Sequence, residues 1–312
     1  MTQPFDILVA GELNPDLILS DPDLIVRFGQ HEALVESAAM TVGSSAAIFA
    51  CGAARLGLRV AFIGVVGDDL FGRFMLNALA ERNVDTSNII VDPARETGLS
   101  VILSRGTDRA ILTHMGAMNA LRVEDISNEL LRQARHLHVT SYFLQTALQP
   151  HLPALFARAR SLGLSTSLDT NFDPDGRWAG VGETLDQTTI FLPNEAEAEA
   201  LTGLADVEKA ARQLATKAEI VAVKLGAEGA LACRGDEIAR VAAIPVAVAD
   251  TVGAGDSFDA GFVYGFLHGW DLAACLRLGS ACGSLSTRRA GGVTAQPTLE
   301  EALASLENGG NR

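Results

Sequence analysis

Lysine is scarce in this chain. Its 312 residues include three lysines, at positions 209, 217 and 224, and Lys plus Arg total 24 against 38 Asp plus Glu. The formal net charge is therefore −14. Nucleic acids bind basic surfaces, so we expect no nucleic-acid partner. An anion would have to bind at a local site made of backbone amides and a few arginines.

Long apolar runs and a positively charged leader are also absent. The longer apolar runs, such as residues 60–66, are much shorter than the roughly 18 residues that span a bilayer. The first 27 residues contain one cation, Arg27, whereas a secretory signal begins with several charges. We therefore expect a cytoplasmic protein without a membrane partner. The four cysteines form no CxxC pair, which is typical of buried free thiols.

Several common catalytic motifs are missing. No lysine follows a glycine, so the phosphate-binding loop of Walker-type ATPases and GTPases cannot form. The GxG at 253–255 is followed by Phe258, where a dinucleotide-binding fingerprint has its third glycine. HExxH and GxSxG are absent as well. These absences argue against Rossmann oxidoreductases, zincin proteases and α/β-hydrolases.

Short β-branched runs alternate with longer runs of helical spacing. This alternation predicts an α/β fold with a doubly wound, mostly parallel sheet. The predicted strands are residues 5–10, 59–66, 136–141, 165–169, 189–193 and 220–225. The predicted helices are residues 45–56, 70–82, 122–133, 153–162, 194–202, 256–268 and 272–288.

Two stretches interrupt the alternation. Residues 17–40 and 89–114 contain short alternating runs separated by Gly, Pro and Asp, which predicts extra strands outside the main sheet. We expect these strands to form a small flap over the carboxyl edge of the sheet, where open α/β sheets bind ligands. The chain is predicted to be one domain over residues 1–312, with lid strands within about 13–42 and 89–118. Disorder is expected only in the tail, 308–312.

The strongest positive signal is the string DTVGAGDSF at 250–258, which precedes a predicted helix. Small residues at Gly253, Ala254 and Gly255 leave backbone amides open at the helix N-terminus, which favours a phosphate-sized anion. Asp256 is then expected in the first helical turn, where it can accept a proton from a hydroxyl that attacks this phosphate. A glycine turn with an Asp or Ser cap explains GAGDS alone, but it explains the full string less well.

This string resembles the second signature of the ribokinase-like (PfkB) carbohydrate kinases. The first signature is similar to the segments GSSAA at 43–47, ARLG at 54–57 and GVVGDDLFG at 64–72. The similarity covers essentially the whole chain, with both signatures in the expected order. It implies a ribokinase-like fold with a β-lid, and transfer of the γ-phosphate of ATP to a hydroxymethyl group.

The resemblance implies roles for catalytic and substrate-binding residues. Asp256 matches the family's catalytic base, and Gly253, Ala254 and Gly255 match the anion hole for the transferring phosphoryl group. Asp16 matches the aspartate that binds substrate hydroxyls, although an Asp after Pro also caps turns. Further candidate substrate contacts, each also explicable as an ordinary surface or core residue, are Gly43, Ser44, Ser45, Ile48, Arg109, Ser141 and Tyr142.

The resemblance also implies ATP, Mg²⁺ and, in many members, a monovalent cation such as K⁺. Asn194 and Glu197 match the NxxE motif that organises Mg²⁺ and phosphates through water, although a helix cap explains the same letters. Asn171 resembles the asparagine that faces the nucleotide phosphates, and an Asx turn is its local alternative. The other nucleotide candidates are Lys224, Gly226 and Gly229 in the turn that shapes the pocket, and Gly283 and Thr287 beside the adenine. The metal candidates are Glu197 for Mg²⁺, and Asp250 with a carbonyl near Val252 for the monovalent cation.

The chain departs from the family pattern at two positions. The family commonly has two glycines and then an asparagine that contacts the sugar, whereas this chain has Ser44 after Gly43 and the apolar pair Ile48 and Phe49. An apolar branch cannot form a hydrogen bond with a hydroxyl, which argues against ribose or fructose as the substrate. If Ile48 instead packs its helix against the sheet, this argument does not apply.

The sequence therefore predicts an ATP-dependent, Mg²⁺-requiring kinase that phosphorylates a primary hydroxyl of a small sugar or sugar-like compound. A nucleoside kinase of the same fold is the first alternative, because Ile48 and Phe49 would suit a base. A non-catalytic sugar-binding or regulatory relative is the second, but a binding protein does not need a base at Asp256. Lids in this family often pair, so a homodimer through the lid is also expected.

Overall fold

The computed structural model describes residues 3–106 and 108–309. The strands are β1 (Phe5–Ala10), β2 (Pro15–Ser20), β3 (Ser37–Val42), β4 (Val60–Ile63), β5 (Val65–Gly67), β6 (Val84–Asp85), β7 (Ile90–Asp92), β8 (Leu99–Arg105), β9 (Asp108–His114), β10 (Ala134–Thr140), β11 (Ser165–Asp169), β12 (Ile190–Phe191), β13 (Ile220–Lys224), β14 (Ala230–Arg234) and β15 (Glu237–Val241). The helices are α1 (Ser45–Arg55), α2 (Leu70–Ala80), α3 (Asn128–Leu131), α4 (Leu152–Ser161), α5 (Val181–Leu185), α6 (Glu195–Thr202), α7 (Val207–Leu214), α8 (Ala254–Leu267), α9 (Leu272–Ser286) and α10 (Leu299–Gly309).

Nine strands form one large sheet in the order β15-β14-β13-β12-β11-β10-β1-β4-β6. The pairs from β13 to β6 are parallel, whereas β14 pairs antiparallel with both β13 and β15. The prediction of an α/β fold with a mostly parallel sheet is therefore confirmed. Because parallel strands end at the same edge, the residues that follow β1, β10, β11 and β12 come together there.

The large sheet is buried on both faces. Ile7 and Val9 of β1 belong to the same apolar cluster as Phe262 of α8, whereas Leu8 belongs to the cluster that contains Phe156 of α4. Successive side chains of a strand point to opposite faces, so each central strand contributes to both clusters. This burial on both sides explains the apolar runs of β1 and β4. The strands β10 and β11 also bury His136, His138 and Ser167, and Ser167 is hydrogen bonded to both histidines.

Four strands form a separate small sheet in the order β3-β2-β8-β9. Its pairing places Asp16, Ser100 and Thr113 side by side on one face. The middle of the opposite face consists of Leu17, Leu19, Ala38, Met40, Val101, Leu103, Ala110 and Leu112, and its strand ends add Pro15, Val42, Leu99, Arg105, Asp108 and His114. The two interrupting stretches of the sequence thus supply the extra strands that their patterns predicted.

Three predicted elements were wrong in extent. The strand at 59–66 divides at Gly64 because its two halves have different partners: β4 pairs with β1 and β6, whereas β5 pairs with β7. The helix at 122–133 is a 3₁₀ turn followed by α3, which begins where the Ser127 hydroxyl accepts from the amide of Leu130. The strand at 189–193 is limited to Ile190–Phe191.

At the chain end, α10 runs through Gly309, so the first two residues of the tail predicted to be disordered are helical. The rest of that tail, 310–312, lies outside the described residues. Within the described ranges, no helix is both long enough and apolar enough to cross a membrane.

Candidate active site

The turn before α8 presents backbone amides at the helix N-terminus. Gly253 is the N-cap residue, and its φ of 72° lies in the left-handed region that favours glycine. A Cβ here would lie 2.8 Å from the Cα of Gly292, so close packing also requires glycine. Ala254 and Gly255 begin the helix, and Asp256 lies in its first turn. Amides in a first helical turn have no partner within the helix and attract anions.

Two cavities meet at this turn. The residues lining the first, here called the polar cavity, include Glu12, Asn14, Asp16, Arg109, Asn171, Asn194, Glu197 and Asp256. The residues lining the second, the apolar cavity, include Ile244, Val246, Phe258, Gly283 and Thr287. Their volumes are about 720 Å³ and about 480 Å³. Both are lined by Lys224, Gly226, Thr251 and Gly255, so a group held at the turn can be reached from either side.

Asp256 is buried among groups that oppose its ionisation. The residue is 8 % exposed and lines the polar cavity. Burial, reinforced by the carboxyls of Asp169 and Glu12, raises the pKa of Asp256 to about 8. The Lys224 ammonium and a hydrogen bond with Ser45 oppose this rise. A carboxyl with such a pKa can exchange a proton near neutral pH.

Lys224 lies where the two cavities meet. Its Nζ is 2.8 Å from Oδ2 of Asp169 and 3.2 Å from both carboxyl oxygens of Asp259. Burial disfavours the charge of Lys224, but Asp169 and Asp259 outweigh burial and raise its pKa. These ion pairs hold the ammonium close to Gly255. The sequence analysis did not single out Asp169 or Asp259, because nothing in their local pattern indicates a shared lysine.

Asp16 brings a second carboxyl into the polar cavity from the small sheet. Asn14 Nδ2 donates to its Oδ1 at 3.2 Å, and a Cβ at Gly43 would overlap that same oxygen. Burial raises the pKa of Asp16 to about 6, although Asn14 and Arg109 oppose the rise. Arg109, on β9, lines the same cavity, and its guanidinium is 3.8 Å from Oδ1 of Asp250.

Ser44 occupies the position of the family's second glycine and keeps a φ of 64°. Its Oγ accepts from the amide of Ala47 at 3.0 Å and donates to the carbonyl of Glu12 at 2.6 Å. The hydroxyl thus caps α1 and joins it to the end of β1. Ser44 and Ser45 both line the polar cavity.

Ile48 lies between the polar cavity and the turn before α8. It lines the cavity but is only 3 % exposed. A Cβ at Gly253 or at Gly292 would approach its side chain to 2.9 Å or 2.5 Å, respectively. The side chain therefore packs against the turn of the anion-hole candidate, in addition to facing the cavity.

Ser141 and Asn171 follow neighbouring strands and are hydrogen bonded to each other. Both have positive φ, 55° and 51°, and Asn171 Nδ2 donates to Ser141 Oγ at 3.0 Å and to Thr140 Oγ1 at 2.9 Å. Both line the polar cavity. Tyr142 does not: its ring is buried in the apolar core beside Phe143. The left-handed turn at Ser141 directs the next side chain away from the cavity. The prediction that Tyr142 contacts the substrate was therefore wrong.

Asn194 and Glu197 form a capping box at the start of α6. The amide of Glu197 donates to Asn194 Oδ1 at 2.9 Å, and the amide of Asn194 donates to Glu197 Oε2 at 3.0 Å. Burial and the Asp169 carboxyl raise the pKa of Glu197 to about 7, while Lys224 opposes the rise. The helix cap that explains the letters locally is present, and both side chains also line the polar cavity.

Asp250 joins two turns behind the start of α8. Its Oδ1 accepts from the amide of Val252 at 3.0 Å, and its Oδ2 accepts from the amide of Gly291 at 2.9 Å. The carboxylate thus holds turn 250–252 beside turn 288–292. On the other side of the helix start, Gly226, Gly229, Gly283 and Thr287 line the apolar cavity.

Glu12 was missed by the sequence analysis. It follows β1, is 2 % exposed, and accepts a hydrogen bond from Ser141 Oγ on Oε1 at 2.8 Å. Its Oε2 has no hydrogen-bond partner among the described residues, although the carboxyl lines the polar cavity. The only signal available in the sequence was a carboxylate directly after a predicted strand, at the ligand-binding edge.

Comparison with known proteins assigns this chain to a family. The sequence profile of the pfkB family carbohydrate kinases matches residues 5–299. A sugar kinase of Archaeoglobus fulgidus is 36% identical over 73% of this chain and 91% of its own length. The 5-dehydro-2-deoxygluconokinase of Geobacillus thermodenitrificans is 30% identical over 96% and 92% of the two chains. The ribokinase of Haemophilus influenzae is 30% identical over 97% and 98%.

The fold is also shared with solved structures. A putative ribokinase II from E. coli, crystallised with ATP and Mg²⁺, superimposes with a TM-score of 0.86 over 97% of this chain and 99% of its own, at 24% identity. The resemblance noted in the sequence, the ribokinase-like fold and the prediction of a carbohydrate kinase are thereby confirmed. This chain belongs to the PfkB family of carbohydrate kinases.

Proposed function

We propose that this protein transfers the γ-phosphate of ATP to a primary hydroxyl of a small sugar or sugar-like compound. The observation that carries the proposal is the position of turn 253–255 and Asp256 where the two cavities meet. A nucleotide in the apolar cavity and a sugar in the polar cavity approach this turn from opposite sides. The ATP in the E. coli structure and the name of the Haemophilus ribokinase support the same pair of substrates.

The apolar cavity suits the adenosine part of ATP. Its aliphatic lining and its glycines, Gly229 and Gly283, allow a flat base to approach the backbone, and Thr287 adds a hydroxyl. Lys224 and Gly226, which line both cavities, come near the phosphates in this arrangement. Asn171 and Asn194 face the phosphates from the polar side.

The residues near Glu197 fit a magnesium ion that arrives with the nucleotide. Mg²⁺ in such sites keeps several waters and uses one or two carboxylates together with substrate phosphates. Both oxygens of Glu197 already accept from Asn194, which suits contact through water. In the described part of the chain no three His, Cys, Asp or Glu residues form a metal site of their own. Bound there, Mg²⁺ would neutralise charge on the phosphates.

The chemical step needs a base and a site for negative charge. As the acceptor oxygen bonds to the γ-phosphorus and the bond to ADP breaks, Asp256 takes the hydroxyl proton. The amides at 253–255 stabilise the charge on the transferring phosphoryl group. The Lys224 ammonium, fixed by two carboxylates, adds positive charge at the same point.

We also propose that Asp250 and the carbonyl of Val252 hold a monovalent cation such as K⁺ behind the anion hole. The support is the hydrogen bonding of Asp250, which ties turn 250–252 to turn 288–292. A cation there would stiffen the turn that carries Gly253.

The test of the proposed function is Asp256→Asn. We expect the variant to remain folded and to lose about 10²- to 10⁴-fold in rate, the usual contribution of a positioned base. ADP release is measured with Mg²⁺ and a panel of sugars and nucleosides, and circular dichroism checks the fold. Asp236→Asn, at an exposed position, is the matched control. A folded Asp256→Asn protein with the wild-type rate would refute the assignment.

A nucleoside kinase is the second candidate, because Ile48 and the exposed ring of Phe172 give the polar cavity two apolar contacts for a base. The same panel separates the candidates: a nucleoside kinase phosphorylates nucleosides and is inactive on free sugars.

We further propose that two copies of the chain pair through the small sheet. The support is the outward face of this sheet, where aliphatic side chains occur on all four strands and the polar residues Arg105, Asp108 and His114 lie at the ends of β8 and β9. Leu112 and Met40 on this face are exposed, and so are Phe28 and Leu34 in the loop between β2 and β3. Exposed aliphatic side chains that cluster on one face are typical of a protein–protein contact.

A further inference from the structure

We propose that Gln296 is a positioning residue for phosphoryl transfer: its buried side-chain amide ties α1 to α8 and thereby holds Ser45 against the proposed base, Asp256. This inference rests on the proposed function and deepens it, since it concerns what holds the base of the same site in place.

The side chain of Gln296 lies between two helices. The residue is 4 % exposed, and its Nε2 donates to the carbonyl oxygen of Ile48 on α1 at 2.9 Å and to Ser257 Oγ on α8 at 3.1 Å. Its backbone carbonyl accepts from Arg55 Nε at 2.7 Å. Ile48 and Arg55 are about two helical turns apart on α1. Gln296 therefore follows α1 over these two turns and reaches α8 with the same amide.

Small residues make room for this amide. A Cβ at Gly52 would lie 2.9 Å from Nε2 of Gln296 and 3.2 Å from the Cβ of Ala260 on α8. Gly52 lies in the interior of α1, where glycine lowers the stability of a helix. The space that an alanine side chain would fill is thus occupied by the amide of Gln296.

Both helices begin at the proposed site. Ser45 is the first residue of α1, Asp256 lies in the first turn of α8, and both line the polar cavity. The hydroxyl of Ser45 forms a hydrogen bond with the carboxyl of Asp256. Ser45, Ile48 and Gly52 are spaced three and four residues apart, so they share the face of α1 that meets α8. A shift of α1 along α8 would therefore disturb the contact between Ser45 and the base.

The bond from Ser45 bears on the ionisation of Asp256. Burial raises the pKa of Asp256, and the carboxyls that face it are those of Glu12, Asp169 and Asp259. The Lys224 ammonium and the Ser45 hydroxyl favour the ionised form. Loss of the Ser45 bond would raise the pKa of the base further, so that less of it is ionised at neutral pH.

A purely structural role for Gln296 makes a different prediction. If the amide only stabilises the packing of the two helices, its removal lowers the melting temperature. The turnover of the folded protein and its pH profile then stay as they are in the wild type.

The experiment compares the wild type with Gln296→Met, which keeps the length of the side chain but cannot donate. Initial rates of ADP release are measured against pH, with the best acceptor of the sugar and nucleoside panel. We expect kcat to fall about 10- to 100-fold, with an unchanged KM for ATP, because the base is misplaced while the apolar cavity is intact. The pH at which kcat/KM for the acceptor levels off should rise by about one unit, the effect of one hydrogen bond to a charged group.

Thr188→Val is the matched control for the loss of a buried hydrogen bond. Thr188 is 1 % exposed, donates through Oγ1 to the carbonyl oxygen of Thr184 at 2.8 Å, and precedes β12 at the edge of the sheet opposite the site. Its replacement should lower the melting temperature but keep the wild-type kcat and pH profile. The same result for Gln296→Met would overturn the proposal.

A double variant shows whether Gln296 acts through Ser45. Ser45→Ala should move the pH profile in the same direction as Gln296→Met. Combining the two should move it little further, since both changes remove the same contact. Shifts that add in the double variant would overturn the proposal.

Ser257→Ala decides the question if Gln296→Met does not fold. This smaller change removes the bond to α8 and leaves the bond to Ile48. It should lower kcat and raise the pH at which the profile levels off, and a wild-type kcat and profile would overturn the inference while leaving the proposed kinase function intact. A wild type that transfers phosphate to no acceptor of the panel refutes the proposed function itself.

Discussion

Burial governs the ionisation of three carboxyls in the polar cavity. It raises the pKa of Asp256 to about 8, of Glu197 to about 7 and of Asp16 to about 6. In each case a neighbouring cation or donor opposes the rise without cancelling it. These side chains therefore titrate within the range in which an enzyme works, unlike carboxyls exposed to water.

A pH dependence of the rate follows from the raised pKa of Asp256. The base must be ionised to take a proton, and in the free protein it is largely protonated below about pH 8. We expect kcat/KM for the acceptor to rise with pH and to level off above about 8. The profile is measured as initial rates at constant ionic strength, over an interval of about three pH units that spans neutrality. A profile that is flat or falls over this interval would contradict the role of Asp256.

The second prediction at this scale concerns Asp16, whose carboxyl lies in the small sheet and away from the apolar cavity. Asp16→Ala should weaken acceptor binding by about 1.5 to 3 kcal/mol, the usual value for a hydrogen bond with a charged group. Affinity for ATP should change little. Calorimetric titration with each ligand separately measures both effects, and a loss confined to ATP would reject the assignment.

At the scale of elements, the sequence predicts best where a local pattern determines the structure. The string at 250–258 was enough to predict Asp256 in the first turn of α8, because its glycines allow the left-handed turn at Gly253 from which the helix begins. The antiparallel pair β14 and β15 was not predicted, and neither were α7 and α10. The strands β14 and β15 and the helix α7 lie at one edge of the large sheet, and α10 packs on α9, so their positions depend on contacts that no short pattern encodes.

The site was predicted in part for the same reason. Candidates within motifs could be named, and most of them line one of the two cavities. Glu12 and Asp259 could not be named, because their roles depend on residues that are distant in sequence. Ser141, which follows β10, donates to Glu12, and Lys224 of β13 donates to Asp259. Tyr142 was misplaced because the left-handed turn at Ser141 is invisible in the letters.

The contact of α1 with the turn before α8 gives the third prediction. Ile48 faces the polar cavity and packs on Gly253 and Gly292, so Ile48→Asn changes both acceptor choice and stability. We expect kcat/KM for a common pentose or hexose to improve relative to the best wild-type acceptor, because the amide can bond a hydroxyl that isoleucine cannot. The melting temperature should fall, since the amide is largely buried.

Ile48→Val is the matched control, because it shortens the side chain without adding a polar group and typically costs about 0.5 to 1.5 kcal/mol. It should lower the melting temperature while keeping the order of preference among acceptors. If Ile48→Asn keeps the wild-type order as well, Ile48 acts only through packing and does not determine specificity.

At the scale of the whole molecule, the small sheet joins the polar cavity to an outer surface. The inner face of the small sheet carries Asp16, Arg109 and Thr113 into the polar cavity, while the middle of the outer face is aliphatic. The strands that we propose to bind the acceptor are therefore the same strands that would form a dimer interface. Pairing of two small sheets would bury this face and fix the position of its inner side chains.

The fourth prediction tests this link. The wild type should have twice the chain mass of 32.8 kDa by light scattering, whereas Leu112→Glu should be monomeric, because a charge within an aliphatic interface costs its desolvation on both copies. Leu70→Glu, at an exposed leucine of α2, is the control and should stay dimeric. The monomer should keep its affinity for ATP but show a higher KM for the acceptor, since β9 carries Arg109 and Thr113. A wild type that is monomeric at all concentrations would exclude the interface, and a monomeric variant with an unchanged acceptor KM would show that pairing does not support the site.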